Sequence, residues 1–163
     1  MTRSVPATFA ALFALLLPTL AAAEADDDAH LSELEGLRVL HAWTAATDGG
    51  AARIFMEIEN TGDETAHLTG AMADIGGRVT IFATPPTGDA APIAVDTVEI
   101  YAGTDYDLTP DGLFLELADL AAPLAEGDAF EMEIDFGDLG QVEVHVAVEE
   151  ADARQHSHAG HSH

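Results

Sequence analysis

Apolar and polar residues alternate with a period of two along several short stretches of the chain. In RIFMEIEN the apolar Ile54, Met56 and Ile58 recur at every second position, with polar or aromatic residues between them. EMEIDF (131–136) and VEVHVAV (142–148) show the same alternation. Because successive side chains of a β-strand point to opposite faces of the sheet, this period predicts strands with one buried face.

Turn-forming residues separate the alternating stretches. They cluster at TGDE (61–64), IGG (75–77), PPTGD (85–89), TPDG (109–112), EGD (126–128) and GDLG (137–140). Further strands are predicted between these turns, over 66–72, 78–83, 92–101 and 113–118. Eight or so short strands at this spacing are typical of a β-sandwich or barrel, so we expect an all-β domain.

The two ends of the chain lack the strand pattern. The first 23 residues carry Arg3, then an apolar run, then small residues, which is the order of a secretory signal peptide. A transmembrane anchor is the alternative, but the apolar run is interrupted at Pro18 and falls short of the roughly 20 residues that a span requires. We therefore expect a periplasmic protein with this organisation: signal peptide 1–23, flexible acidic lead-in 24–36, β-sandwich 37–148 and flexible tail 149–163.

The composition narrows the classes of function. The chain has 30 acidic residues against 5 lysines and arginines, a net charge of −25. Such a surface repels phosphate backbones and anionic lipid and suits cations or basic proteins, although a solubility adaptation to salt explains it equally well. Cysteine is absent, which excludes thiolate metal sites and cysteine nucleophiles. No phosphate-binding loop or Ser/His/Asp set stands out, so we expect that the protein is not an enzyme.

Taken in order, five segments resemble the PCu(A)C family of periplasmic copper chaperones over roughly residues 37–148. These segments are RVLHAWT, IFMEIENTGDETAHLTGA, GRVTIF, VEIYAGTDYDLTPDGLFLELADLAAPLAEGD and VEVHVAV. The resemblance implies a cupredoxin-like (immunoglobulin-like) Greek-key β-sandwich, export, and Cu(I) delivery toward cytochrome oxidase assembly. The partners it implies are a cytochrome oxidase assembly protein or another copper carrier. We expect no nucleic acid partner and no membrane span after signal cleavage.

The metal ligands of that family are replaced in this chain. Members hold Cu(I) with two His and two Met, soft ligands that suit this ion. The matching positions here are Phe82, Thr84, a position near Pro92, Phe114 and Glu116. Residues 73–131 contain no His and no Met at all. The strand alternation places Phe82 and Phe114 on the face away from the core. They form either an apolar contact patch or a plug of the metal site, or they are simply two half-covered side chains.

Two histidines, His41 and His145, lie in stretches that show the strand alternation. The alternation in LRVLHAWT places His41 and Trp43 on the apolar face with Val39, so we interpret His41 as a core residue with a hydrogen-bond partner. His145 points to the polar face beside Glu143, where a metal role is the less favoured alternative.

The chain ends in ADARQHSHAGHSH, which carries two histidine pairs at spacing i, i+2: His156 with His158, and His161 with His163. In an extended segment such pairs leave the backbone on the same side. Neutral imidazoles suit Cu(II) and Zn(II), so these four residues are the predicted metal ligands, for copper as Cu(II) rather than Cu(I), or for zinc. A plain solvated terminus is the alternative.

The function predicted from the sequence is therefore that of an exported, PCu(A)C-like metal-handling protein, a copper chaperone or buffer that uses its C-terminal histidine tail. The alternative is a metal-free protein-interaction module on a degenerate copper chaperone fold.

Overall fold

The computed structural model describes residues 31–86 and 90–156, and their regular secondary structure is almost entirely β-strand. The strands are β1 (Leu31–Leu34), β2 (Leu37–Ala45), β3 (Gly50–Asn60), β4 (Ala66–Leu68), β5 (Gly70–Ala73), β6 (Arg78–Ala83), β7 (Ile93–Val95), β8 (Val98–Ile100), β9 (Thr104–Leu108), β10 (Leu113–Leu120), β11 (Ala129–Asp135) and β12 (Gln141–Glu149). The one helical element in the described part of the chain is a 3-10 turn at Gly137–Leu139. The predicted all-β class is confirmed.

Ten of the strands form one mixed sheet. Nine of them follow the order β5-β11-β12-β2-β3-β9-β10-β6-β7, with β1 paired to β2 and β3 also paired to β10. Strands β12 and β2 run parallel, whereas most neighbours are antiparallel. The sheet curves back on itself so that β5 lies against β6. A two-stranded ribbon of β4 and β8 adds Ala66, Leu68 and Ile100 to the enclosed core.

The core follows the alternation read from the sequence. Ile54, Met56 and Ile58 of β3 are at most 3% exposed and lie in the main apolar cluster. The same cluster contains the inward positions of β11 and β12: Met132, Ile134, Val142, Val144, Val146 and Val148. Burial of each such side chain contributes about 1.5–3 kcal/mol, which fixes the register because a slip by one residue would turn all of them to solvent.

A β-bulge at His41 breaks the alternation in β2. The register between β2 and β3 shifts between Leu40 and Trp43, and His41 has a φ of 53°. An extra residue in one strand reverses the side-chain phase beyond it. Ala42 therefore packs in the main core, while Trp43 lies opposite Phe55 in a separate cluster. The expectation that His41 and Trp43 continue the core face of β2 is wrong for this reason.

The separate cluster lies on the outer face of the sheet and consists of Trp43, Phe55 and Phe114, with Phe82 and Ala153 packed against it. The prediction that Phe82 and Phe114 face away from the main core is confirmed. Phe114, however, is 0% exposed. An exposed contact patch at this residue is therefore excluded, because neighbouring side chains cover its ring completely.

Both segments expected to be flexible are partly ordered. Leu31–Leu34, within the expected lead-in, pairs with β2 as strand β1. Beyond Glu149 the chain folds back as the C-terminal turn (residues 150–156), in which Ala153 N donates to Glu150 O at 3.0 Å. The expectation of a flexible segment is thus wrong for Leu31–Leu34 and for residues 149–156, which later strands and clusters hold in place. The predicted signal peptide and the last seven residues lie outside the described residues.

Among residues 31–86 and 90–156, we find no helix with the length and apolar character needed to cross a membrane.

Candidate functional site

A cleft of about 210 Å³ lies where the bulge of β2 meets the C-terminal turn. Its lining includes His41, Trp43, Met56, Glu57, Asp107 and His156. The bulge supplies the first two of these residues, β3 and β9 supply the next three, and the C-terminal turn supplies the last. The cleft thus joins side chains that are more than a hundred residues apart in sequence.

Two imidazoles meet in this cleft. The ring centroids of His41 and His156 are 5.6 Å apart, and the rings are tilted by 40°. His156 is only 2% exposed, and its Nε2 lies 3.7 Å from Glu149 Oε1. Of the four predicted metal ligands, His156 is the one that the structure describes, and it is docked on the domain. His158, His161 and His163 lie outside the described residues.

Sequence reasoning missed His41 as a site residue. The period-two pattern assigned it to the core, whereas the bulge places it in the cleft beside His156. A bulge leaves little trace in an apolar–polar pattern when the residues around it are themselves apolar, as Ala42 and Trp43 are here. The presence of a histidine in an otherwise apolar stretch was the one signal available.

Carboxylates face each other beside the cleft. Glu57 of β3 lies directly opposite Asp107 of β9, and Glu59 lies opposite Asp105. Like charges that face each other across strands are destabilising. Burial raises the pKa of Glu57 above its ordinary value, and the charges of Asp107 and Glu59 raise it further. These carboxylates concentrate negative charge beside the cleft, whose lining also includes the positively charged Arg154.

We expect Glu57→Gln to stabilise the metal-free protein at pH 7. The folded-state pKa of Glu57 is raised, so its ionisation opposes folding above that pKa. This destabilising effect disappears as the pH falls through the folded-state pKa of Glu57 to its unfolded-state pKa of about 4.3, because the carboxyl group is then protonated in both states. Thermal melts at pH 7 and pH 4 in a chelator should show a higher midpoint for the variant at pH 7 only. Glu126→Gln, at an exposed position of the turn between β10 and β11, is the control; an equal gain in that variant would contradict the prediction.

His145 makes a different interaction. It lies directly opposite Glu131 across β12 and β11, and its Nδ1 is 2.9 Å from Glu131 Oε1. Within the described ranges, no group of three or more His, Cys, Asp or Glu residues is arranged to hold a metal ion. The metal role considered for His145 therefore gains no second or third ligand from these residues.

The positions that the resemblance matches to copper ligands form an aromatic pair. Phe82 of β6 lies directly opposite Phe114 of β10, with stacked rings whose centroids are 5.6 Å apart. The guanidinium carbon of Arg53 lies 4.5 Å from the centre of the Phe114 ring. A cation over an aromatic face is attracted by the ring quadrupole. These three side chains offer no metal-ligating atom, and Arg53 adds a positive charge that repels a metal ion.

A known family covers most of the domain described above. The family with the description "Putative lipoprotein LpqE-like" matches residues 37–148. The chain belongs to the LpqE-like family. One protein with a similar sequence is "Putative lipoprotein Lxx21020" of Leifsonia xyli subsp. xyli (strain CTCB07). It is 27% identical to this chain over 130 residues, which are 78% of each chain.

Solved structures show the fold of this LpqE-like protein. The apo PCuAC domain of PmoF2 is 25% identical, with a TM-score of 0.65 over 77% of this chain and 99% of that domain. The Cu(I) form of DR1885 from Deinococcus radiodurans is 22% identical, with a TM-score of 0.57 over 80% of this chain and 87% of that one. The cupredoxin-like β-sandwich and the resemblance to PCu(A)C domains are thus confirmed at the level of the fold.

Proposed function

We propose that this LpqE-like protein is an exported copper-handling protein that holds Cu(II) on its C-terminal histidines and passes it to an acceptor. The observation that carries the proposal is the C-terminal sequence: four of the last eight residues are histidine, out of eight in the whole chain. The first of them, His156, is docked on the domain beside His41 rather than free in solvent. Neutral imidazoles are the ligands that Cu(II) and Zn(II) favour.

The comparisons support copper as the cargo. The PCuAC domain of PmoF2, similar to this chain in fold at 25% identity, has also been solved in a copper-bound form, and DR1885 as its Cu(I) form. Export is supported by the signal-like N-terminus and by the lipoprotein description of the family. The 163 residues contain no cysteine, so they offer no thiol for a lipid chain.

The proposal assigns no copper to the outer face of β6 and β10. The stacked Phe82 and Phe114, with Arg53 over the latter ring, favour a plug in place of the His/Met ligands of PCu(A)C domains. The burial of Phe114 also weighs against the alternative of a metal-free module that docks a partner through this pair. The acceptor expected from the resemblance is a cytochrome oxidase assembly protein or another copper carrier. Zinc is a second ion that the same imidazoles accept.

Copper should be released at low pH because protons compete with the metal for the imidazole nitrogens. An imidazole must be neutral to ligate a metal, and its reference pKa is about 6.5. Copper on the C-terminal histidines should therefore be held at neutral pH and leave as the pH falls through about 6 to 5. The high negative charge of the chain raises the local concentration of cations, an effect that salt weakens.

We expect joint replacement of His158, His161 and His163 by Asn to abolish tight Cu(II) binding. Loss of even one residue that merely supports a ligand costs about 10–100-fold in metal affinity, so loss of three ligands should cost at least about 100-fold. The measurement is a competition titration with Cu(II) on the chain from residue 24, at pH 7.4 and pH 5. Wild-type protein should bind at pH 7.4 and release at pH 5.

A matched control replaces two histidines of the domain, His67 and His145, by Asn. His67 is exposed on β4, and His145 is engaged with Glu131. The control should bind Cu(II) as wild type does. Unchanged binding by the triple variant, or wild-type binding that persists at pH 5, would show that the C-terminal histidines are not the copper site.

A further inference from the structure

The arginines of this acidic chain differ in whether a carboxylate neutralises them. Arg38 and Arg78 form ion pairs with neighbouring carboxylates. Arg53 and Arg154 are exposed, and they form no ion pair with any residue that the structure describes, although the chain has 30 acidic residues. Because opposite charges attract at a surface, two arginines without a carboxylate partner are cations available to a ligand.

These two arginines line one groove, the arginine groove, where β2 ends, β3 begins and the C-terminal turn returns. Its volume is about 710 Å³, within the range of roughly 300–1,000 Å³ that is usual for small-ligand sites. Phe55 and Ala153 form apolar parts of its wall. The charged side chains in its lining are Arg53, Arg154, Asp111 and Asp152. The charges of opposite sign cancel within the groove, in a chain whose net charge is −25.

The aromatic cluster on the outer face holds Arg53 in place without a counter-charge. The guanidinium carbon lies 4.5 Å from the centre of the Phe114 ring. Glu116 lies directly opposite Arg53 across β10 and β3, yet the two side chains form no ion pair. A cation–π contact stabilises the guanidinium without a hydrogen-bond acceptor. The N–H groups of Arg53 therefore remain able to donate to a ligand.

The lining of the groove discriminates among anions. A guanidinium donates two parallel hydrogen bonds to one carboxylate, a geometry that favours this group over a simple point charge. Asp111 and Asp152 repel a multiply charged anion such as phosphate, and they accept hydrogen bonds from a hydroxyl or amino group on the ligand. Phe55 offers an apolar contact. A carboxylate that also carries such a donor therefore satisfies more of the lining than an inorganic anion does.

We propose that the arginine groove binds a small organic carboxylate that carries a hydroxyl or amino group beside an apolar body. Arg53 and Arg154 bind the carboxylate oxygens. Asp111 and Asp152 accept hydrogen bonds from the substituent, and the apolar body packs against Phe55. This site requires neither a metal ion nor the C-terminal histidines, so it goes beyond the proposed copper function and is independent of it.

The side-chain Nε–H resonances of arginine report on this site one residue at a time. From residue 24 onward the arginines of the chain are Arg38, Arg53, Arg78 and Arg154. Titration of this metal-free chain with phenyllactate or phenylalanine should shift the resonances of Arg53 and Arg154 saturably and leave the other two in place. Hydrocinnamate has the same carbon skeleton without the hydroxyl or amino group, and it should bind about 10-fold more weakly. Inorganic phosphate should cause no saturable shift.

Two substitutions test the roles of the arginines. Arg154→Gln removes one charge-assisted contact and should weaken the binding of phenyllactate by about 10-fold or more. Arg53→Lys keeps the positive charge but removes the planar guanidinium, so it should also weaken binding. Arg78→Gln is the matched control, because it removes the same charge from an exposed ion pair with Asp119 outside the groove. This control should bind phenyllactate as wild type does.

Thermal melts without ligand establish that each variant is folded, and the wild-type titration decides alone if one is not. Saturable shifts at Arg53 and Arg154, with binding weakened in Arg154→Gln and kept in Arg78→Gln, would support the inference. Absence of a saturable shift with either ligand, or equal shifts at all arginines, would overturn it. Phosphate that binds as tightly as phenyllactate would also overturn it, because the groove would then recognise charge alone. The copper titration of the C-terminal histidines is unaffected by any of these results.

Discussion

Replacement of Phe114 by Ala should lower the free energy of unfolding by about 3–5 kcal/mol, the usual cost of truncating a buried Phe. Phe114 is 0% exposed although it lies on the outer face of the sheet. Its ring packs with Trp43 and Phe55 and is stacked on Phe82. The guanidinium of Arg53 over the same ring adds a cation–π contact worth about 0.5–1 kcal/mol. The loss would leave a cavity lined by large aromatic rings, which cannot collapse to fill it.

The matched control for Phe114→Ala is Phe82→Ala. Phe82 lies directly opposite on β6 but is only partly buried, so its truncation should cost less than half as much. Urea denaturation at pH 7 measures both, with an unchanged m-value as the sign that the unfolded state is the same. A loss below about 1 kcal/mol for Phe114→Ala would mean that the ring is poorly packed, and would revive the interpretation of this pair as a contact surface.

Replacement of Asn60 by Ala should lower the free energy of unfolding by about 2–4 kcal/mol, because it leaves one buried and two partly buried backbone groups without their partner. Asn60 is 3% exposed at the end of β3. Its Nδ2 donates to Glu64 O at 2.8 Å and to Ile100 O at 2.9 Å, and its Oδ1 accepts from Gly62 N at 3.1 Å. This one side chain thus ties the β3–β4 turn to the end of β8 and holds the two-stranded ribbon on the main sheet.

Asn60→Asp tests the hydrogen bonds of this side chain while its volume stays nearly the same. Aspartate keeps an oxygen for Gly62 N but places a carboxylate where two carbonyl oxygens need a donor, so it should destabilise at least as much as Ala at pH 7. Thr61→Ala is the control, since the Thr61 hydroxyl donates to Gly36 O at an exposed position. Stability of Asn60→Asp equal to that of wild type in chemical denaturation would refute the assignment of the two donor contacts.

The candidate site shows where sequence reasoning ends. His156 was identified because four histidines in eight residues stand out in any context. Its burial could not be foreseen, since the surface that covers it is formed by β2, β3 and β9, far away along the chain. His41 could not be paired with it, because the bulge that turns its side chain depends on the register between β2 and β3.

The short strands β1 and β9 were missed for a related reason. TDYDL is mostly polar and exposed except at Leu108, and LSEL is too short and only partly buried, so neither carries a regular alternation of apolar and polar residues. Their hydrogen bonds to β2 and β3 exist because those strands are already in place. A pattern that arises from burial cannot reveal strands that bury little.

The sequence by itself determined the all-β class and the inward face of the central strands. Side chains of a strand alternate between its two faces, and burial of apolar side chains away from water is favourable. The core must therefore contain Ile54, Met56 and Ile58 together, and likewise the valines of β12. Tertiary structure alone decided which outward residues are covered. Phe114 is buried by rings from three other strands, and His156 is buried by the return of the C-terminal turn onto the bulge. Burial on the outer face depends on which distant segments arrive there, and a local alternation carries no information about that.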